Sequence, residues 1–315
     1  MNESKRLWAI VLAAGQGTRL SSLTRALYGR DVPKQFAVLA GERSMLQTTI
    51  DRLTPLVPTQ RIVVVVAREQ AAAARAQLAP YRGIDLVVQP RSLDTGPGVL
   101  LPVAHVLARD PGARVIVAPA DHHVPNPRPM LSALAAAMVD PAVRDRLALV
   151  GVAPDDDEPD YGWIVRGERL SSRGRAGRPG GAWHVAQFRE KPDRETAAAL
   201  RARGALWNTF LFTAPGWVLW DLARRHLPAQ TYALDRYRRA LELRDVLAQV
   251  YTEMSPANFS RDVLERAADL AVMPVAGTGW CDWGAPQRVF ESLRGSADYT
   301  ALVGRLGQHA TALAS

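Results

Sequence analysis

Cysteine is nearly absent: Cys281 is the only one in 315 residues. An internal disulfide framework is therefore excluded, and a reducing, cytoplasmic location is expected. Long apolar runs are missing too. The early run Leu7 to Ala14 is far too short to span a bilayer, so no membrane partner is expected. Lys5 and Arg6 before it mimic a signal peptide, but cleavage there would destroy the glycine loop that follows, so the run reads as a buried first strand. The net charge of +8 comes without any Lys/Arg run interleaved with aromatics, which argues against nucleic acid as a partner. The densest basic stretch, Ser171 to Gly181 with Arg173, Arg175 and Arg178, is glycine-rich and reads as a surface loop. Lysine is the scarcest cation. Only Lys5, Lys34 and Lys191 occur among 39 basic residues, which suggests that lysine is kept where a compact ammonium is needed.

What is present is ordinary globular material: 48% hydrophobic and 22% charged residues, enough for one large α/β domain or a domain with an annex. Strands are expected at Trp8–Ala13, Arg61–Ala67, Asp85–Gln89, Arg114–Ala118 and Leu147–Ala153. Helices are expected at Met45–Leu53, Glu69–Leu78, Gly98–Arg109 and Pro129–Met138. The unbroken run Ile62 to Val66 implies burial on both faces, hence a mostly parallel, Rossmann-like open sheet covered by helices. Ligands of such sheets bind beyond the carboxyl ends of the strands. Near residue 155 the pattern shifts to shorter strands around Gly162–Val165, Val185–Phe188 and Asn208–Phe212. Residues 1–155 thus read as a nucleotide-binding part and 156–315 as the sugar-phosphate-binding part, which holds a smaller sugar-binding annex, and C-terminal helices of the same catalytic domain. The acidic stretch Asp155 to Glu158 between them reads as a solvated turn. No internal repeat is apparent.

The first strand runs into Leu12-Ala13-Ala14-Gly15-Gln16-Gly17-Thr18-Arg19-Leu20. Glycines directly after a strand let backbone N–H groups approach phosphates. The third glycine of a dinucleotide fingerprint is absent, and so is the ending of a P-loop. Two glycines in a tight turn could equally be structural, but Arg19 and then Val32-Pro33-Lys34-Gln35-Phe36 follow. Five further motifs succeed these: Pro119-Ala120-Asp121-His122, Tyr161-Gly162-Trp163-Ile164, Phe188-Arg189-Glu190-Lys191-Pro192, Trp207-Asn208 and Trp280-Cys281-Asp282-Trp283-Gly284.

These seven motifs, in this order from about residue 8 to 290, resemble the sugar nucleotidyltransferases, or nucleotide-sugar pyrophosphorylases. Within them the likeness is strongest to the mannose-1-phosphate guanylyltransferase family. The resemblance implies a glycosyltransferase-A-like nucleotidyltransferase fold. It implies an in-line attack by a sugar 1-phosphate on the α-phosphorus of a nucleoside triphosphate, GTP in the nearest branch, with pyrophosphate leaving. Positioning and charge neutralisation would do most of the catalysis. It places Arg19, Lys34 and Asp121 at the chemistry, and Mg²⁺ as the cofactor on Asp121 and Asp282. Nucleotide contacts would come from Leu12, Ala13, Ala14, Gly15, Gly17, Thr18, Arg19, Lys34, Gln89, Asp94 and Thr95. Gly162, Glu190, Lys191 and Asn208 would hold the sugar phosphate. Magnesium avoids imidazole, so His122 and His123 are given supporting roles, and Trp163, Trp207, Trp280 and Trp283 read as packing residues.

Two segments depart from the family pattern. Ser92-Leu93-Asp94-Thr95-Gly96-Pro97-Gly98 replaces Arg-Asn-Thr-Ala-Pro-Ala, and Asn258–Glu265 keeps only Asp262 and Glu265 of its run. Asp94 could read guanine, whose adjacent donors suit one carboxylate, or could merely cap the helix after it. The sequence after Gly284 leaves no room for the C-terminal β-helix of many relatives, so a homodimer would form otherwise. Uridylyl or thymidylyl transfer, a catalytically silent regulatory paralogue and a nicotinamide-dependent dehydrogenase remain alternatives.

Overall fold

The computed structural model describes residues 6–170, 181–240 and 244–314. The basic stretch read as a surface loop falls almost wholly outside them, as does Lys5. Nine strands form one sheet: β1 Leu7–Leu12, β2 Ile62–Ala67, β3 Asp85–Gln89, β4 Arg114–Pro119, β5 Leu147–Val152, β6 Gly162–Arg169, β7 Trp183–Glu190, β8 Leu206–Pro215 and β9 Leu270–Val275. Their spatial order is β3-β2-β1-β4-β8-β5-β9-β7-β6. The first four lie parallel, as the β-branched runs predict, and every residue of β2 is fully buried. Beyond β4 the sheet is mixed. Strand β8 runs antiparallel to both β4 and β5, β5 and β9 are parallel, and β6 and β7 form an antiparallel hairpin. Burial on both faces hides strand direction, which is why the sequence reading does not contain this change.

Helices cover both faces. Thr95–Arg109, Gly216–His226 and Pro228–Arg239 pack on one, while Met45–Leu53, Ala71–Leu78, Arg128–Val139 and Arg194–Ala202 pack on the other. The helix Met45–Leu53 begins where expected because Ser44 and Gln47 form a reciprocal capping box. Asp94 caps its helix through Thr95 N–H, so that helix starts three residues before Gly98. Helix Ser21–Tyr28 and strand β9 are additions to the sequence reading.

Candidate functional site

The loop after β1 is held from behind. Gln35 Nε2 donates to the carbonyls of Ala13 and Gly15, each at 2.7 Å, and Gln70 Nε2 donates to Gly15 O at 2.9 Å. The N–H groups of Gly15, Gln16 and Gly17 find no acceptor among the described residues. Gly17 sits at φ 62°, and a Cβ there would lie 2.7 Å from the main-chain nitrogen of Lys34. The glycine loop and the Pro33-Lys34-Gln35-Phe36 turn are thus wedged together.

Lys34 is only 5% exposed. Its ammonium reaches Asp121 Oδ2 at 2.9 Å and donates to the carbonyl of Asp282 at 2.5 Å. Asp121 follows β4, and the next residues form a bridge: His123 N–H donates to Cys281 O at 2.9 Å and Cys281 N–H returns to His123 O at 3.0 Å. This bridge brings the motifs of Asp121 and Asp282 together around one lysine. Burial alone would raise the Asp121 carboxyl, but Lys34 and His122 hold it below its ordinary value. The Asp282 carboxylate accepts from Gly284 N–H at 2.9 Å and from the Tyr161 hydroxyl, and Arg19 lies 3.6 Å from its other oxygen. Burial and Asp282 together push the Tyr161 phenol far above its usual range, so it remains a donor. Gly17, Thr18, Arg19, Lys34, Asp121 and Gly284 line a cleft of about 160 Å³.

A second group stands on β6, β7 and β8. A Cβ on Gly162 would lie 2.9 Å from Glu190 Oε2 and 3.2 Å from Asn208 Cβ, so these three residues share one spot. Burial lifts the Glu190 carboxyl above its ordinary value; Lys191 and Ser260 oppose this, while Glu265 and Asp94 add to it. Glu265 Oε1 accepts the Glu190 N–H at 2.5 Å. Between Gly151 and Leu149 the β5–β8 register shifts, and the bulge holds Phe210 at φ 55° with its N–H bonded to Asn208 Oδ1 at 3.1 Å.

Backbone strain marks the same places. Among the described residues only four non-glycines have positive φ: Asp94, Lys191, Phe210 and Trp283. Each belongs to, or directly follows, one of the segments singled out above. Such conformations cost about 1–3 kcal/mol each and persist where surrounding structure over-determines them. Asp94 binds Thr95 N–H at 2.6 Å and faces the Asn258 amide at 3.3 Å, so it serves as a helix cap and loop clasp. Thr95 Oγ1 accepts Phe259 N–H at 2.8 Å. Gln89 is 2% exposed and accepts from the Tyr251 hydroxyl at 3.1 Å, behind that loop.

Several participants are absent from the sequence reading. Asp160 pairs with Arg19 at 2.9 Å, and Glu158 pairs with Arg288, whose guanidinium also donates to Tyr161 Oη at 2.6 Å. The acidic segment is therefore more than a solvated turn: its Glu158 carboxylate and that of Asp160, two residues beyond it, brace the cleft. Among the described residues no cluster of three or more His, Cys, Asp or Glu is poised for a metal. Carboxylate oxygens suit a hard divalent cation that completes its shell with phosphate oxygens and water, and here Asp121 is paired with Lys34 and has His122 Nε2 3.8 Å away.

Residues 8–298 match the nucleotidyl transferase family model. The mannose-1-phosphate guanylyltransferase of Escherichia coli (strain K12) is 32% identical, over 99% of this chain and 64% of its own length. The mannose-1-phosphate guanylyltransferase ManC of Salmonella typhimurium (strain LT2) is 32% identical, over 91% of this chain and 59% of its own. The chain thus spans about three fifths of the length of these relatives. A crystal structure from Thermus thermophilus, described as a mannose-1-phosphate geranyltransferase, has a TM-score of 0.77 and 30% identity. That match covers 92% of this chain and 80% of the other.

Proposed function

The chain belongs to the nucleotidyl transferase family, and on that premise we propose that it joins a sugar 1-phosphate to a nucleoside triphosphate and releases pyrophosphate. The observation that carries this is the buried Lys34, held between Asp121 and the Asp282 carbonyl beside free loop N–H groups. A buried ammonium next to unbonded N–H donors is built for anionic oxygen. The nucleophile, a sugar-phosphate oxygen, already carries charge and needs no general base. It forms a bond to the α-phosphorus as the bond to pyrophosphate breaks.

Each residue's part follows from its place. Loop N–H groups from Gly15 to Gly17 and the Arg19 guanidinium hold the phosphates, and Lys34 neutralises charge that grows during transfer. Glu190 and Asn208 orient sugar hydroxyls, with Lys191 on the sugar phosphate. Asp121 and Asp282 would hold Mg²⁺, which supplies charge neutralisation when bound. Residues 1–155 serve the nucleotide and 156–315 the sugar phosphate within one catalytic domain; the uninterrupted sheet, with β8 of the second part seated between β4 and β5 of the first, supports the single domain.

GTP and mannose 1-phosphate are the substrates we infer, supported by the names of the relatives. The Asp94 carboxylate is engaged with Thr95 and Asn258, so guanine recognition does not rest on it. The single Cys281 supports a cytoplasmic setting for the reaction. Neither nucleic acid nor membrane enters this reading; no helix among the described residues is long and apolar enough to cross one. Pyrophosphate release from GTP, UTP, dTTP, CTP and ATP, each with mannose, glucose and N-acetylglucosamine 1-phosphates, is the test. Preference for GTP with mannose 1-phosphate is expected. Preference for another pair corrects the substrates, and no release from any pair defeats the reaction class.

A further inference from the structure

A concavity roomier than the cleft at Lys34 lies elsewhere on the chain. Two adjoining lobes of about 400 and 440 Å³ share Leu107, Pro111, Trp220, Arg224 and Arg238. They lie where the end of helix Thr95–Arg109 meets helices Gly216–His226 and Pro228–Arg239. That helix has 15 residues, and at about 1.5 Å per residue the groove lies roughly 20 Å from the loop at Asp94. The floor is fixed: Gly216 N–H donates to Ala113 O at 2.8 Å, and a Cβ on Gly216 would meet Leu107 at 2.6 Å.

The lining combines an aromatic face with surplus positive charge. Trp217 is 58% exposed at the rim of one lobe, an expensive place for an indole with nothing to cover. Asp221 is neutralised by Arg225, and Asp235 by Arg238 at 3.1 Å. Arg224 and Arg239 have no ion pair or hydrogen bond among the described residues. Arg238 lies over the Trp220 ring at 4.9 Å, and its Nε is buried without a partner.

We propose that this groove is a second binding site, separate from the cleft at Lys34, for a nucleoside mono- or diphosphate. The base lies against Trp217, and the phosphates are taken by Arg224 and Arg239. One indole and a volume of this size suit one small molecule. Single-stranded nucleic acid would need a succession of stacking rings. The site does not depend on the proposed reaction.

The test is ¹⁹F NMR of the full chain carrying 5-fluorotryptophan, with the Trp217 resonance assigned through Trp217→Phe. Titration with GMP should move that resonance saturably, and Arg224→Ala/Arg239→Ala should weaken the response by at least about tenfold. The other tryptophan signals of the double variant should stay in place, showing that it is folded. Guanosine and inorganic phosphate, each lacking half of the ligand, should bind more weakly than GMP. The response should persist in Lys34→Ala, where the catalytic cleft is impaired. No movement up to millimolar GMP overturns the proposal, as does an undiminished response in the double arginine variant or one abolished by Lys34→Ala. A Trp217 signal that follows protein concentration rather than GMP also overturns it, by making the groove a contact between copies.

Discussion

Gly17→Ala puts the wedge between the glycine loop and Lys34 to a quantitative test. Alanine at φ 62°, ψ 24° costs about 1–2 kcal/mol in the left-handed region. The new carbon would also lie 2.7 Å from Lys34 N and 3.1 Å from Lys34 Cβ, and this overpacking adds about 1–3 kcal/mol. A rotamer change cannot relieve contact with a main-chain atom. The Lys34 turn is itself pinned by the Phe36 N–H bond to Pro33 O at 2.8 Å and by the Nζ contacts at its tip. Lower unfolded-state entropy returns about 0.4–1 kcal/mol, leaving a net loss of roughly 1–4 kcal/mol. Lys34 or the loop must shift by several tenths of an ångström, and misplacement of about 1 Å can cost a hundredfold in rate. Gly15→Ala is the internal control, since its Cβ would meet nothing within 4 Å and its φ is not in the left-handed region. Denaturant unfolding followed by circular dichroism should show Gly17→Ala destabilised and Gly15→Ala unchanged. Pyrophosphate release should fall sharply for Gly17→Ala. Equal stability of the two variants would refute the wedge.

Lys34→Ala should depress turnover with every substrate, whereas Lys191→Ala should chiefly raise the apparent KM for the sugar phosphate; identical effects on both substrates reject the assignment. Asp94→Ala loses the helix cap but keeps the strained backbone at φ 66°, ψ −173°, while Asp94→Gly loses the cap and the strain together. The glycine variant should therefore be more stable by about 1–3 kcal/mol in denaturant melts, and both should retain the native nucleotide preference. His123 is pushed down to about 4 by burial and by Arg52, so the folded state refuses a proton that the unfolded state takes below about pH 6.5. Its contribution is whole above that pH and is lost as pH falls toward 4, by up to about 3 kcal/mol before discounting for its partial exposure. His123→Phe, which keeps a ring on Trp283, should flatten the acid limb of stability between those values.

The elements legible in the sequence are those whose signal is local. The run Ile62 to Val66 is a strand because unbroken β-branched residues suit burial on both faces, and it forms where expected. The capping box at Ser44 announces its helix. Helix Ser21–Tyr28 carries no side-chain cap and no acidic residue in its first turn, so nothing local marks its start. The acidic segment looks solvated until Arg288 reaches Glu158 from 130 residues away, beside the pair that Arg19 makes with Asp160 across 141. Lys34 and Lys191 stand out through scarcity and through the motifs that hold them. The burial of Lys34 and its clasp by Asp121 and by the Asp282 carbonyl, the latter 248 residues away, have no local signature.

The tryptophans show why packing and chemistry are poor alternatives here. Trp283 stacks on His123 with ring centroids 4.2 Å apart, and Trp280 meets His122 edge-on at 5.4 Å. The Trp280 indole N–H donates to His122 Nδ1 at 3.2 Å, which leaves His122 Nε2 turned toward Asp121 Oδ1 at 3.8 Å. Each tryptophan flanking Asp282 thus seats one of the two histidines that follow Asp121. The main-chain bridge between His123 and Cys281 has only two hydrogen bonds, too few to fix two loops alone. Stacked rings add apolar burial on both sides of it, and Trp283 is 1% exposed. The carboxylates are distant in sequence and costly to bring together, so aromatic burial beside them offsets that cost. The strained φ of 50° at Trp283 belongs to the same arrangement, because it turns the chain so that Asp282 and Trp283 present their carbonyls to Lys34.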